Sequence, residues 1–204
     1  MPILARYPIM DALGAKVHIL AKLKTELPSA RTYHSLEHTL DVYASVIGIA
    51  EQEGITGEGL ALLKTAALYH DAGFTVQGTE HEEAGCRIAR EVLPRYGYGP
   101  RQIELVCDMI LATRIPQRPR NKLARVLCDA DLDYLGRGDF WVIGDTLYKE
   151  MRHFGVLGSE REWNELQLRF LERHHYFTPT NKALREPVKQ DNLALVKAWL
   201  EKNR

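Results

Sequence analysis

The sequence predicts an all-α fold, a single domain of about eight or nine helices spanning residues 1–204. Three observations predict it. Apolar residues recur at three- and four-residue spacing along most of the chain, the period of one helix face. The breaks between such stretches fall at glycines, prolines and N-capping side chains. No run of alternating apolar residues bounded by turns reads as a strand.

Taken in order, a periodic segment from about Ile9 to Leu27 follows Pro8 and is closed by Pro28. Ser35 is placed to cap a second helix. On it Leu36, Leu40, Tyr43, Ile47 and Ala50 form the expected core stripe, and His38, Val42, Val46 and Ile49 form a second inward series. Gly54 and Gly57 precede a third helix from about Glu58 to His70. A fourth starts near Glu80 and stops at Pro94. Ile103, Val106, Cys107 and Ile110 define a fifth ending near Thr113, and Leu123, Leu127 and Tyr134 mark a sixth. Asp139 caps a seventh running to about Phe154. Ser159 with Glu162 is a capping box for an eighth, and Pro187 opens the last, which ends near Leu200.

Composition narrows the function classes. Apolar residues make up 45% of the 204 residues and charged ones 26%, the balance of an ordinary globular protein with room for a core. Lys+Arg and Asp+Glu both number 27, so charge gives no reason to expect a nucleic acid or an anionic membrane as partner, and a homodimer is left open. No stretch approaches the roughly 18 apolar residues of a membrane span. Residues Met1 to Met10 carry one basic residue, Arg6, and no apolar run behind it, so no secretory signal is expected. Cys86, Cys107 and Cys128 form no C-x-x-C pair and lie in apolar helical patterns. They are expected as reduced core thiols of a cytoplasmic protein.

The chemistry gathers around Leu68-Tyr69-His70-Asp71-Ala72-Gly73. Leu60, Leu63 and Ala67 share a helix face whose next turn is His70, so a histidine and an aspartate stand at the dry end of a core helix and need partners. His34 and His38 lie one helical turn apart and can face the same side. On the Leu123–Leu135 segment Asp131 falls on the apolar face. Asp129 falls on the opposite one, within reach of an i,i+4 ion pair with Arg125, and is expected at the surface or behind the site. Two imidazoles and two carboxylates make a mixed N/O donor set, suited to Mn, Fe, Zn, Ni, Co or Mg.

The order His38, then His70-Asp71, then Asp131, on a helical background, resembles the HD-domain superfamily of metal-dependent phosphohydrolases over roughly residues 32–140. Tyr33-His34-Ser35-Leu36-Glu37-His38 also resembles the opening Y-H-N-x-x-H motif of cyclic nucleotide phosphodiesterases, with serine in place of asparagine. His81-Glu82-Glu83-Ala84-Gly85 is similar to the H/N-E-x-x-S/A segment of many members, with Gly85 departing from it. The resemblance implies that His38, His70, Asp71 and Asp131 hold a divalent metal. It further implies that His34 protonates the leaving oxygen, that Glu82 positions water, and that His81 is a candidate ligand for a second metal.

Arg114, closing the fifth helix, is the candidate for binding a substrate phosphate. Arg118 and Arg120 read as solvated loop charge, Lys122 and Arg125 continue the same basic stretch with no role assigned, and His174 and His175 end the eighth helix. The expected activity is hydrolysis of a phosphomonoester or phosphodiester of a small, nucleotide-like substrate by metal-activated water. Competing readings are a nucleotide-sensing module without catalysis and a di-iron oxygenase on the same fold.

Overall fold

A computed structural model describes residues 9–204, so Pro8 and the N-terminal residues before it lie outside the described residues. Among these residues there are ten α-helices and no strand. They are α1 (Ala12–Glu26), α2 (Leu36–Gln52), α3 (Gly57–Tyr69), α4 (His81–Val92), α5 (Pro100–Ala112), α6 (Lys122–Asp131), α7 (Phe140–His153), α8 (Glu160–Arg173), α9 (Pro179–Leu184) and α10 (Glu186–Lys202). Single 3₁₀ turns follow α3 at Ala72–Thr75, α4 at Leu93–Tyr96 and α6 at Asp133–Gly136.

Of the caps expected from the sequence, those at Ser35 and Ser159 form, whereas Asp139 opens α7 without a side-chain cap bond, and Asn121 adds one that was not expected. Ser35 accepts a hydrogen bond from the His38 amide at 3.3 Å, so the residue that stands where asparagine is usual still does an N-cap's work. Asn121 caps α6 by accepting from the Ala124 amide at 2.9 Å. Ser159 and Glu162 form the expected capping box at the start of α8.

One helix face differs from expectation. On α2, Leu40 and Ile47 are 41% and 39% exposed, whereas Val42, Val46, Ile49 and Ala50 are buried. The series that starts at His38 packs against α3 and α6, and the Leu36–Leu40–Tyr43–Ile47 stripe lies along its flank. Both stripes have helical period, and burial of the β-branched one decided the rotation of the helix.

The helix beyond the expected count is α9, six residues capped by Thr178. Two buried clusters result. The larger joins α1 to α6. The smaller is built from Tyr33, Tyr134, Leu135, Phe140, Leu171 and Val196, bringing α7, α8 and α10 onto the end of α6. Each fully buried large side chain contributes roughly 1.5–3 kcal/mol of transfer free energy, so the second cluster holds the C-terminal helices in place. The seam between the clusters is where the polar residues converge.

Candidate metal centre

Three helix ends meet at this seam. His38 sits in the first turn of α2, His70 and Asp71 follow the last residue of α3, and Asp131 is the last residue of α6. The Nε2 atoms of His38 and His70 are 3.4 Å apart. Asp71 Oδ2 lies 3.5 Å from His38 Nε2 and 3.3 Å from His70 Nε2. Asp131 Oδ1 lies 3.3 and 3.4 Å from the same two nitrogens. His70 Nδ1 faces the Ala67 carbonyl at 2.8 Å, which makes that nitrogen the donor and leaves Nε2 with a lone pair toward the cluster.

The fit to a cation rests on two features. Donors about 2.0–2.2 Å from one ion stand roughly 3 Å or slightly more from their neighbours, which is the spacing found here. Asp71 Oδ2 is also buried with no hydrogen-bond partner among the described residues, a cost a native fold carries only when something else satisfies the oxygen. His38, His70 and Asp71 are all buried and close enough to hold one metal ion together. Without an ion the groups polarise one another. Burial pulls His70 down, but Asp71 and Asp131 beside it outweigh burial and raise it well above the usual imidazole range. Burial pushes Asp131 up, and His38 and His70 overcome it, bringing the carboxyl down to about 2.

Around this core stand His34, His81 and Glu82. His81 and Glu82 open α4, whose preceding residue Glu80 adopts a left-handed backbone (φ 52°) that turns the chain toward the site. His81 Nε2 lies 3.6 Å from Asp71 Oδ1 and 3.5 Å from Glu82 Oε1. Asp71 thus directs one oxygen to each set of groups. Phe74 stacks on His81 with centroids 4.0 Å apart and packs against His34 at 4.3 Å, fixing both rings.

His34 has a partner that the sequence reading did not single out. Glu150 Oε1 lies 2.6 Å from His34 Nδ1, and Glu150 Oε2 accepts from the backbone amides of Tyr33 and His34 at 2.9 and 3.0 Å. Arg31 donates to the same carboxylate at 2.8 Å. Burial raises this carboxyl, but His34 and Arg31 more than compensate and hold it at about 2. The signal for it was a single acid on the inner face of α7, with Phe140, Gly144 and Leu147 on the turns before it.

Two expectations change. Asp129 is fully buried, and among the described residues it makes no ion pair with Arg125. Its carboxylate accepts from the Phe177 and Thr178 amides, both at 2.8 Å, and from the Thr178 hydroxyl at 2.6 Å. The α9 segment packs where solvent was expected, so the face of α6 opposite Asp131 is also interior. Arg114 bonds to Glu82 at 3.3 Å and to Glu83, and it does not line the cavity over the site. Arg118, Arg120 and Arg125 are exposed, as expected. His174 ends α8 and faces a neighbouring cavity of about 380 Å³, with burial lowering it to about 3.

This arrangement defines a helical domain whose paired histidines and aspartates on helix ends could hold a metal ion. Residues 35–133 match the HD domain family. The whole fold is similar to the crystal structure of a predicted HD superfamily hydrolase from an uncultured Thermotogales bacterium. That likeness has a TM-score of 0.60 at 22% identity and covers 92% of each chain. An uncharacterized protein of Clostridium beijerinckii is 33% identical over 103 residues, covering 48% of this chain. The match takes in 62% of that relative, under two thirds of its length.

Proposed function

We propose that this protein is a metal-dependent phosphohydrolase that cleaves a phosphomonoester or phosphodiester of a small, nucleotide-like molecule. The observation that carries the proposal is the convergence of His38, His70, Asp71 and Asp131 around an otherwise orphaned carboxylate oxygen, beneath an open cavity. In this reading those four side chains hold a divalent cation. Bound there, the cation lowers the pKa of water and offsets charge on phosphoryl oxygens.

The remaining groups divide the other tasks. Asp71, with an oxygen on each side, orients the attacking water, and Glu82 receives its proton or holds its second hydrogen. Arg114 keeps Glu82 in place through the ion pair at 3.3 Å. The Glu150 carboxylate fixes His34 Nδ1 as a donor, so Nε2 is the atom that delivers a proton to the leaving oxygen. His81, with Glu82 and the second Asp71 oxygen, offers a place for a further divalent ion. The three buried, free cysteines suit a reducing, cytoplasmic setting.

The test is direct. Purified protein stripped of metal and reloaded with Mn²⁺, Fe²⁺, Zn²⁺, Ni²⁺, Co²⁺ or Mg²⁺ should release phosphate or a phosphomonoester from a panel of phosphate esters. His70→Ala should abolish both metal retention and turnover. Full metal content and full activity in that variant would refute the proposal. A nucleotide recovered unchanged after long incubation would instead mark a sensing module.

A further inference from the structure

The cavity above the metal-ligand cluster has a volume of about 360 Å³ and two unlike ends. One end is the acidic and imidazole cluster already described. The other is walled by Tyr134, Phe140, Leu147, Trp163, Phe170 and Leu171, and among the described residues no lysine or arginine lines the cavity. From this division we infer that the substrate carries a single phosphoryl group on an uncharged, ring-like and largely apolar body, and that Gln167 reads one hydrogen-bond donor on that body. The inference rests on the phosphohydrolase reading and narrows it.

Charge excludes a second anion. Asp71, Glu82 and Asp131 already face the cavity. Another phosphate or carboxylate pushed toward the apolar end would be desolvated with no cation to meet it, a penalty of several kcal/mol in ordinary cases. The guanidinium groups beside the site are already occupied, Arg114 by Glu82 and Glu83 and Arg31 by Glu150. Size agrees. An apolar cavity of about 150 Å³ accommodates one benzene ring, so this one takes a phosphoryl group and one or two rings.

Gln167 is the polar exception at the apolar end, and it is 6% exposed. Its orientation is set from behind. Asn164 Nδ2 donates to the Glu160 carbonyl at 2.9 Å, which turns Asn164 Oδ1 toward Gln167. Gln167 Nε2 donates to that oxygen at 3.3 Å. The amide oxygen of Gln167 is therefore the atom left over, and an acceptor selects a donor. Gly144 on α7 keeps this oxygen open, since a Cβ there would stand 3.3 Å from Gln167 Oε1. A mid-helix glycine costs about 1 kcal/mol against alanine, which the wall of a binding site can explain.

The experiment compares Mn²⁺-loaded protein on phenyl phosphate, its ortho, meta and para hydroxymethyl derivatives, glycerol 3-phosphate and adenosine diphosphate. Aryl monoesters should exceed glycerol 3-phosphate and the diphosphate at least 100-fold in kcat/KM. The best hydroxymethyl isomer should exceed phenyl phosphate about tenfold, and in Gln167→Leu the ratio of the two kcat/KM values should fall to about one. Preference for the diphosphate, or an equal loss on all esters in Gln167→Leu, overturns the inference. Should no ester be hydrolysed, the phosphohydrolase reading fails by itself. Calorimetry with the free hydroxymethylphenols then decides the pocket, since tighter binding to the unaltered protein than to Gln167→Leu supports it and equal binding overturns it.

Discussion

At Asp131 the carboxylate faces His38 and His70, while two residues earlier Asp129 faces the start of α9. Their variants should therefore differ in kind. Asp131→Asn should lose bound metal, measured by elemental analysis after gel filtration, with little change in fold. Asp129→Asn should keep its metal and lose about 2–4 kcal/mol in urea unfolding, because three donors lose a charged acceptor in a buried place. The reverse pattern would show that the two roles are exchanged. Glu150 acts through His34, so Glu150→Gln should lower kcat about 10- to 100-fold at unchanged metal content. Its carboxyl sits at about 2 in the fold against 4.5 ordinarily. A depressed carboxyl stabilises above its unfolded value, and that contribution drains away as pH falls from about 4.5 toward 2. The amount is on the order of 2–3 kcal/mol, and urea midpoints between pH 6 and pH 3 should fall less steeply in the glutamine variant. Of these residues, His38, His70, Asp71 and Asp131 were legible because each interrupts a helical apolar face. Glu150 interrupts one as well, yet its partner is 116 positions away and no local spacing connects them.

At the scale of the element, the helices long enough to show several turns of period were legible to within a few residues. The exceptions are instructive. α9 has six residues, too few for a period, and it is organised by the remote Asp129 carboxylate. The rotation of α2 was ambiguous because it carries two apolar stripes. The contact of α4 with the turn after α3 is where backbone sterics govern the site. A Cβ on Gly73 would fall 1.9 Å from the His81 carbonyl oxygen, and one on Gly85 would fall 3.0 Å from that of Tyr69. The departure of Gly85 from the S/A pattern thus coincides with a close approach between α4 and the His70-Asp71 end of α3. Gly73→Ala must push the first turn of α4 outward, carrying His81 and Glu82 with it. It should cost about 1–3 kcal/mol and reduce turnover more than metal affinity for the His38/His70 set. Gly85→Ala should follow the same direction with a smaller loss. Equilibrium unfolding and metal titration of the two variants check the ranking.

Across the whole molecule, the site joins elements that the sequence keeps far apart, α2, α3 and α6 from the larger cluster and the 3₁₀ turn leading into the smaller one. A cation held by His38, His70, Asp71 and Asp131 ties three helix ends together and satisfies the orphaned Asp71 oxygen. In the unfolded chain these side chains are scattered, so an ion held there would bind the folded state alone and stabilise it by mass action. At a free metal concentration 100 times the dissociation constant that amounts to about 2.7 kcal/mol. For a domain of this size each kcal/mol moves Tm by roughly 2–4 °C, so chelation should lower Tm by about 5–10 °C and metal should restore it. His70→Ala removes the ligand but keeps the two core clusters, and its Tm should no longer respond to chelator or metal. An equal response in His70→Ala would place the stabilising ion elsewhere in the molecule. Calorimetric scans of the two proteins with and without chelator, at one protein concentration, separate these outcomes.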